Sequence, residues 1–130
     1  MKNIRAKRET SREYLMKLMY QTYISNGDIT DLENEMEEFL QNNKEYIVSR
    51  YKELVLTYSD KDVDFEGLSL EKCVDRVYLN EMCDILRFKI DYINELIENN
   101  AKNWSINRFS KIDLAILQIA IAEIYQRKFL

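Results

Sequence analysis

The sequence predicts an all-helical protein, and three observations support this fold class. Its 130 residues include no proline and only two glycines, so the turn residues of β-sandwiches and β-barrels are scarce. Apolar residues recur at steps of three and four along most of the chain, which is the period of an amphipathic helix. The length suits one domain with its own core. We therefore expect a single domain over residues 1–130 with about five to seven helices.

The first half of the chain predicts three helices. The first runs from about Ile4 to Ile24, because the turn signal Asn26-Gly27 follows it. Thr30 and Glu33 fit a capping box, which predicts a second helix that ends near residue 42. Apolar residues between Tyr46 and Val55 mark the third helix, and the charged stretch SDKDVDFEGL after it predicts a loop.

The second half predicts a long helical segment and a strongly apolar end. Ser69 can cap one long amphipathic helix, or two nearly collinear ones, reaching about Asn100. Ser105 can cap a turn with Ile106 and Phe109, and Ser110 with Asp113 forms a second capping box. In the final helix apolar side chains fall on nearly every side, which predicts a buried final helix with neighbours all round. Its apolar runs are far shorter than the roughly 20 residues of a membrane span.

Residue types that carry catalysis or bind metals are scarce. Histidine, the commonest general base, does not occur. Cys73 and Cys83 form no CxxC motif, so we expect core thiols and no zinc site. Gly27 and Gly67 stand alone, so no glycine-rich phosphate loop is present. The acidic run at residues 33–38 is typical of a solvated helix face. We expect no enzyme, no catalytic residues, no metal and no cofactor.

Charge is unevenly distributed along the chain. Residues 1–20 contain six basic and two acidic residues, a net charge of +4, whereas the whole chain has −4, so the remainder carries −8. This predicts an anionic partner for the N-terminal end and a basic partner elsewhere. Because the N-terminus has no apolar stretch typical of a secretory signal, we expect a cytoplasmic protein.

One face of the first helix is basic near its start and apolar near its end. On a helical projection Arg5, Arg8 and Arg12 lie within about 60° of one another, and apolar side chains between Met16 and Tyr23 continue the stripe. We therefore expect the N-terminal half to project beyond the core. Cations near a helix N-terminus oppose its dipole, which favours a bound phosphate. A solvated basic face is the alternative.

Several short motifs, taken in order, resemble the NusB family of bacterial antitermination factors. The family pattern R-x-x-A-R with a downstream Leu-Tyr resembles Arg8, Arg12 and Met19-Tyr20. The stretch YLNEMCDILRFKIDYINEL adds to the likeness, whereas residues 28–72 are divergent and longer than usual. A later family pattern of Trp, Arg, Asp, I-L-R-x-A and Glu resembles, in order, Trp104, Arg108, Asp113, Ile116-Leu117, Ala120 and Glu123.

The resemblance implies a fold of two packed helical subdomains and binding of the boxA RNA element. It also implies a partnership with the small-subunit ribosomal protein NusE, in a complex that keeps RNA polymerase processive. In such proteins the arginine-rich first helix contacts RNA, so Arg8 and Arg12 are carried over, with Tyr20 as a further candidate. Arg5 and Lys7 are added from charge and projection. The implied partner is basic, which agrees with the acidic remainder of the chain.

The sequence also departs from the family pattern. Ser11, Gln118 and Ala122 stand where the family favours Ala, Arg and an aromatic residue. The family continues with a Pro-containing linker and segments resembling I-N-E-A-V-E-L-A-K and F-V-N-G, which this sequence lacks. We therefore expect an uncovered apolar face, and a homodimer or higher oligomer whose interface includes residues 114–124.

Two other functions stay open. A general RNA-binding module, like the NusB-like domain of ribosomal RNA cytosine methyltransferases, would share the basic helix and the fold but not the antitermination partner. A structural protein that dimerises through its apolar helix would have arginines that are merely solvated. Binding assays with boxA-type and scrambled RNA separate these alternatives.

Overall fold

The computed structural model describes residues 2–59, 63–101 and 105–129, and within these ranges the chain forms six α-helices and no strand. The expected all-helical class is confirmed. Two single-turn 3-10 helices, Ile29–Asp31 and Ile106–Arg108, precede the second and the last α-helix. The α-helices are α1 (Lys2–Ile24), α2 (Leu32–Asn42), α3 (Lys44–Tyr58), α4 (Leu70–Cys73), α5 (Arg76–Asn100) and α6 (Lys111–Phe129).

The central helix of the fold is α1. It contacts each of the other five α-helices, and α5 packs along α6. The buried apolar side chains of all six helices form one hydrophobic cluster, which includes Cys73 and Cys83 as free, buried thiols. The prediction of core thiols is therefore confirmed. None of the helices in the described ranges is long and apolar enough to cross a lipid bilayer.

The N-terminal half of α1 does not project beyond the core, so this expectation was wrong. Ala6, Thr10 and Ser11 are completely buried. Their small side chains form a face against which neighbouring helices pack closely, and the two hydroxyls donate to backbone carbonyls one turn earlier, at 2.7 Å each. The polar groups on this face are therefore satisfied within the helix.

The final helix is buried on one side only, which corrects the expectation of neighbours all round. Its buried residues are Ala115, Gln118, Ile119 and Ala122, a narrow face that packs on α1 and α5. No element of the described residues covers the opposite side. Several large apolar side chains of α6 are therefore exposed: Ile112, Ile116, Leu117, Ile124 and Phe129.

Helix boundaries agree with most of the predicted ones. Helix α1 ends where Asn26 adopts a left-handed conformation (φ 58°), and the Gly27 N–H donates to the Thr22 carbonyl at 2.9 Å. The capping box at Thr30 is not formed. Instead the Asp28 carboxylate accepts the Thr30 N–H and opens a 3-10 turn before α2.

The segment after residue 69 is broken into two helices. Helix α4 has a single turn, because Val74 and Asp75 have extended backbones that interrupt the helical path. Ser69 occupies the N-cap of α4 without a side-chain hydrogen bond. The Asp75 carboxylate accepts the Tyr78 N–H at 3.0 Å and caps α5. In the predicted capping box before α6, the Ser110 hydroxyl accepts the backbone N–H of Asp113 at 3.1 Å.

Candidate nucleic-acid interface

Three arginines predicted to bind RNA share one face of α1. Together with Ile4 and Glu9, the side chains of Arg5, Arg8 and Arg12 line an open depression of about 510 Å³. This arrangement follows from their spacing, because residues three and four apart lie on the same side of a helix. The projection that grouped these arginines is confirmed.

Each of the three arginines already pairs with a carboxylate of the same chain. Arg5 pairs with Glu9 one turn later at 3.3 Å, and Arg8 pairs with Asp75 of the α4–α5 break at 3.3 Å. Arg12 pairs with Glu123 of α6 at 2.8 Å. These carboxylates compensate the cations at the start of α1, so the helix dipole gives no separate argument for a bound phosphate.

The pair between Arg12 and Glu123 ties α1 to α6. The Arg12 Nε and Nη2 atoms each donate to one oxygen of Glu123 at 2.8 Å, which is the bidentate geometry of a strong charge-assisted pair. The hydrogen bonds to Glu123 raise the pKa of Arg12, and partial burial opposes that shift. The Glu123 side chain is only 13% exposed, so this pair also has a structural role.

Tyrosine rings lie beneath two of the arginines. The Arg5 guanidinium carbon is 3.9 Å from the ring centre of Tyr58, and that of Arg8 is 4.5 Å from the ring centre of Tyr78. The Tyr58 hydroxyl also donates to Glu9. Tyr78 is fully buried, and its burial raises the pKa of its hydroxyl. Such stacking restricts the rotamers of both arginines and lowers the entropy lost on binding a ligand.

Lys7 and Tyr20 are not brought together with the arginines. Lys7 faces another side of α1, where it lines a separate pocket with Tyr51, Phe65 and Lys72. Tyr20 is exposed, but it lies about 12 Å along the helix axis from Arg12 at 1.5 Å per residue. The structure therefore divides the five predicted RNA-binding residues into one cluster of three and two separate positions.

The departures from the family pattern have structural partners. The Ser11 hydroxyl accepts the Asp75 N–H at 2.8 Å, which ties α1 to the start of α5. The Gln118 amide accepts from the Tyr23 hydroxyl at 2.6 Å and donates to Asn94 at 2.8 Å. Gln118 therefore connects α6 with both α1 and α5 inside the core. Ala122 is completely buried, and its small side chain lets α6 approach its neighbours closely.

Sequence reasoning missed the groups that hold the arginines. Glu123 belonged to the motif that suggested the family, but nothing in the sequence indicated its pairing with Arg12, 111 residues away. The sequence marked Asp75 only weakly, as a residue type that can cap the long helix. Nothing in the sequence indicated that Tyr58 and Tyr78 lie beneath arginines. Of the other motif residues, Arg108 is exposed in the second 3-10 turn, and Trp104 lies outside the described residues.

Comparison with known proteins identifies the family. The model of the NusB family matches residues 9–129. Proteins named transcription antitermination protein NusB are similar to this chain. The relative from Clostridium botulinum strain Hall is 35% identical over 117 residues, which cover 90% of this chain and 71% of the relative. The relative from Clostridium tetani is 33% identical over 118 residues, covering 91% and 72%, and that from Clostridium novyi is 32% identical over 117 residues, covering 90% and 68%.

No solved structure gave a significant match. The relatives carry the name of a transcription antitermination protein and not of an enzyme, which agrees with the expectation of a non-enzymatic protein. The family match covers nearly the whole chain and includes Arg12, Glu123 and the α6 residues of the resembling motif. The chain belongs to the NusB family.

Proposed function

We propose that this protein is a transcription antitermination factor that binds boxA-type RNA through the arginine cluster of α1. The observation that carries the proposal is the grouping of Arg5, Arg8 and Arg12 around one open depression. Relatives named as antitermination proteins supply the biological role. Arginine suits phosphate because its planar fork can donate two parallel hydrogen bonds.

The arginines are not equally free to bind phosphate. Among the described residues, the Arg5 guanidinium donates only through Nε, and Arg8 leaves Nη1 without a partner. Arg12 donates through two nitrogen atoms to Glu123. We therefore assign direct phosphate contacts mainly to Arg5 and Arg8, and a positioning contribution to Arg12. Lys7 and Tyr20 contribute only where the RNA continues around or along α1.

Fluorescence anisotropy with boxA-type and scrambled RNA tests the proposal. Arg8→Ala should weaken boxA binding and lower the salt dependence by about one counterion, because one phosphate contact is lost. Arg87→Ala is the matched control: it removes an arginine that pairs weakly with Glu33 and Asp84 at 3.7 and 3.6 Å, away from the cluster. The control should bind RNA like the wild type.

Three results would contradict this assignment. Equal affinity for scrambled RNA would favour a general RNA-binding module. Equal loss of affinity in Arg8→Ala and Arg87→Ala would show that overall charge, and not the cluster, attracts RNA. Absence of RNA binding by the folded wild type would leave the arginines with the structural role that their carboxylate partners already give them.

We further propose that the exposed face of α5 binds the ribosomal protein NusE within an RNA polymerase antitermination complex. This face carries acidic side chains next to Phe88 and Tyr92, which are 73% and 53% exposed. An acidic surface with aromatic side chains suits a basic protein partner, because charge steers the encounter and the rings supply buried area. Such a complex places the protein in the bacterial cytoplasm. The acidic residues are Asp84, Asp91, Glu95 and Glu98.

A pull-down with purified NusE tests the α5 surface. Phe88→Ala and Glu95→Lys should each weaken binding about tenfold, which corresponds to roughly 1.4 kcal/mol of lost contact energy. The matched controls are Tyr46→Ala and Glu45→Lys on α3, where Tyr46 is 71% exposed. Binding that is unchanged in the α5 variants, or lost equally in the α3 controls, would refute this surface.

A further inference from the structure

A small pocket lies on a different side of α1 from the arginine cluster. It has a volume of about 290 Å³ and is formed by the first turns of α1, by α3, by the loop that follows α3 and by α4. Two buried residues of α3, Tyr51 and Val55, and the half-buried ring of Phe65 give it an apolar lining. The described residues that line it lie between Asn3 and Lys72, so α6 takes no part. We call it the loop pocket.

Polar side chains of both charges surround this apolar lining. They are Asn3, Lys7, Asp64, Glu66 and Lys72. Two lysines and two acids leave no net charge, whereas a site for a free anion or a free cation needs an excess of one sign. Small-molecule sites typically have volumes of about 300–1,000 Å³, so the loop pocket has room for one small ligand. Its composition suits a neutral ring that carries both hydrogen-bond donors and acceptors.

The turn that carries Phe65 is already fixed by hydrogen bonds. One Asp64 carboxylate oxygen accepts the Glu66 N–H at 2.8 Å, and the Leu68 N–H donates to the Phe65 carbonyl at 3.2 Å. Gly67 completes the turn with a left-handed φ of 73°. Because these features hold the ring in place, little ordering is needed when a ligand binds against it.

Several polar groups of the loop pocket are available to a ligand. Among the described residues, the ammonium of Lys7 and the carboxylate of Glu66 form neither a hydrogen bond nor an ion pair. Within the same ranges Asp64 accepts with only one of its two oxygens. Lys72, in contrast, donates to the Gly67 carbonyl at 3.2 Å. The loop pocket therefore offers one cationic donor and carboxylate oxygens as acceptors.

The arginine cluster can position RNA but cannot read its sequence, because phosphate contacts are the same for every base. A preference for boxA over scrambled RNA needs a further contact, to a base. We propose that the loop pocket supplies this contact by binding one unpaired base of the RNA, stacked against Phe65. Proteins recognise single-stranded RNA in this way, by aromatic stacking and by hydrogen bonds to base edges. This inference rests on the RNA binding proposed above.

The loop pocket lies close enough to the arginine cluster for one RNA strand to reach both. Lys7 directly precedes Arg8 in α1, and Lys72 lies three residues before Asp75, the carboxylate partner of Arg8. Three residues of chain span at most about 11 Å. A strand whose phosphates contact Arg8 can therefore place a base a few nucleotides away in the loop pocket.

The available groups favour a base that has a carbonyl oxygen beside a ring N–H. Guanine and uracil have this pair of groups, whereas adenine has no carbonyl. The Lys7 ammonium can donate to the carbonyl oxygen, and a carboxylate of Asp64 or Glu66 can accept the ring N–H. We therefore expect guanine or uracil in the loop pocket.

Fluorescence anisotropy of the full chain with abasic variants of boxA-type RNA tests the loop pocket. Removal of one particular base should weaken binding at least about fivefold, because its stacking is lost. Phe65→Leu should weaken binding of the intact RNA by a similar factor. It should have no further effect on that abasic RNA, because both changes remove the same contact. Neither change should alter the salt dependence, unlike Arg8→Ala.

Two further variants make the test independent of the packing of Phe65. Lys7→Met should weaken binding of the intact RNA and abolish its preference over RNA with adenine at that position, because the donor to the carbonyl is lost. Tyr46→Leu is the matched control, because it removes a ring of α3 that is 71% exposed and lies outside the loop pocket. The control should bind every RNA like the wild type, and circular dichroism should show that all variants are folded.

An NMR titration of the full chain with mononucleotides tests the loop pocket without RNA. GMP or UMP at about 10 mM should shift the amide signals of residues 63–68, and AMP should shift them less. Inorganic phosphate should leave them in place, because the charges of the loop pocket cancel. Phe65→Leu should reduce the shifts.

Three results would overturn the proposal. They are the absence of any base whose removal reproduces the loss in Phe65→Leu, additive losses for the two changes, and an equal loss in Tyr46→Leu. Mononucleotide shifts without a position-specific loss would assign the loop pocket to a free nucleotide instead. A wild type that binds no RNA contradicts the function proposed above, and the mononucleotide titration then shows whether the loop pocket binds a base at all.

Discussion

The pair between Arg12 and Glu123 gives the sharpest test of how the fold supports the candidate site. Replacing Arg12 by alanine removes two hydrogen bonds of 2.8 Å and leaves a carboxylate that is only 13% exposed. Hydrogen bonds to charged groups contribute about 1.5–3 kcal/mol, and breaking a fully buried pair costs about 3–5 kcal/mol. Because the Arg12 side chain is 38% exposed, the range for hydrogen bonds to charged groups applies. We expect the free energy of unfolding to fall by about 2 kcal/mol.

A double-mutant cycle separates the pair from other contributions. Glu123→Ala should lower the free energy of unfolding by less, about 1 kcal/mol, because the Arg12 guanidinium can reorient into the solvent. The double variant should then be more stable than the sum of the single losses predicts, by about 1–2 kcal/mol. Urea unfolding followed by circular dichroism at neutral pH measures each value, with an unchanged denaturant slope as the sign of two-state behaviour.

Arg5→Ala is the control for the loss of a cluster arginine. Its side chain is 68% exposed and pairs with Glu9 within the same helix, so the free energy of unfolding should change by less than about 0.5 kcal/mol. RNA affinity is compared per folded molecule in every variant. If Arg12→Ala unfolds at the wild-type urea concentration and loses RNA binding, Arg12 is a direct ligand group and the structural reasoning is wrong.

The thiols, Gln118 and Gly67 provide three further predictions. Burial raises the pKa of Cys73 to about 11 and that of Cys83 to about 12, so a thiol reagent at pH 8 should react only on unfolding. Because the unfolded chain loses these protons first, near its ordinary thiol pKa of 9.0, the free energy of unfolding measured with urea should fall as the pH rises from 9 toward 12. Gln118→Ala leaves the Tyr23 hydroxyl and Asn94 without their partner and should cost about 1–3 kcal/mol in the same assay. Gly67→Ala should cost about 1 kcal/mol, read from the melting temperature, because its φ of 73° is left-handed although the space beside it is open.

The elements of the fold were predictable where local signals agree. Apolar periodicity located α1, α3 and the long segment of α5, and Asn26-Gly27 gave the end of α1. Ser110 was correctly identified as the cap before α6. These features depend on residues within one or two turns of one another, so a single sequence contains the required information.

The packing of the helices was less predictable, because it depends on distant residues. Ala6, Thr10 and Ser11 carry little hydrophobic signal, yet they form the face on which α1 becomes the central helix. In α6 apolar residues occur on all sides, so periodicity could not distinguish the buried side from the exposed side. The face on which Ala115 and Ala122 pack is defined by small residues, which hydrophobicity ranks below isoleucine and leucine.

The candidate site shows the same division between local and distant information. Helical spacing grouped Arg5, Arg8 and Arg12 correctly, because it is a property of α1 alone. On the same projection Lys7 already lies at least about 100° from each of these arginines, which agrees with its place at a separate pocket. The projection could not show that Asp75 and Glu123 hold two of the arginines. Those facts require the packing of α1 against α5 and α6.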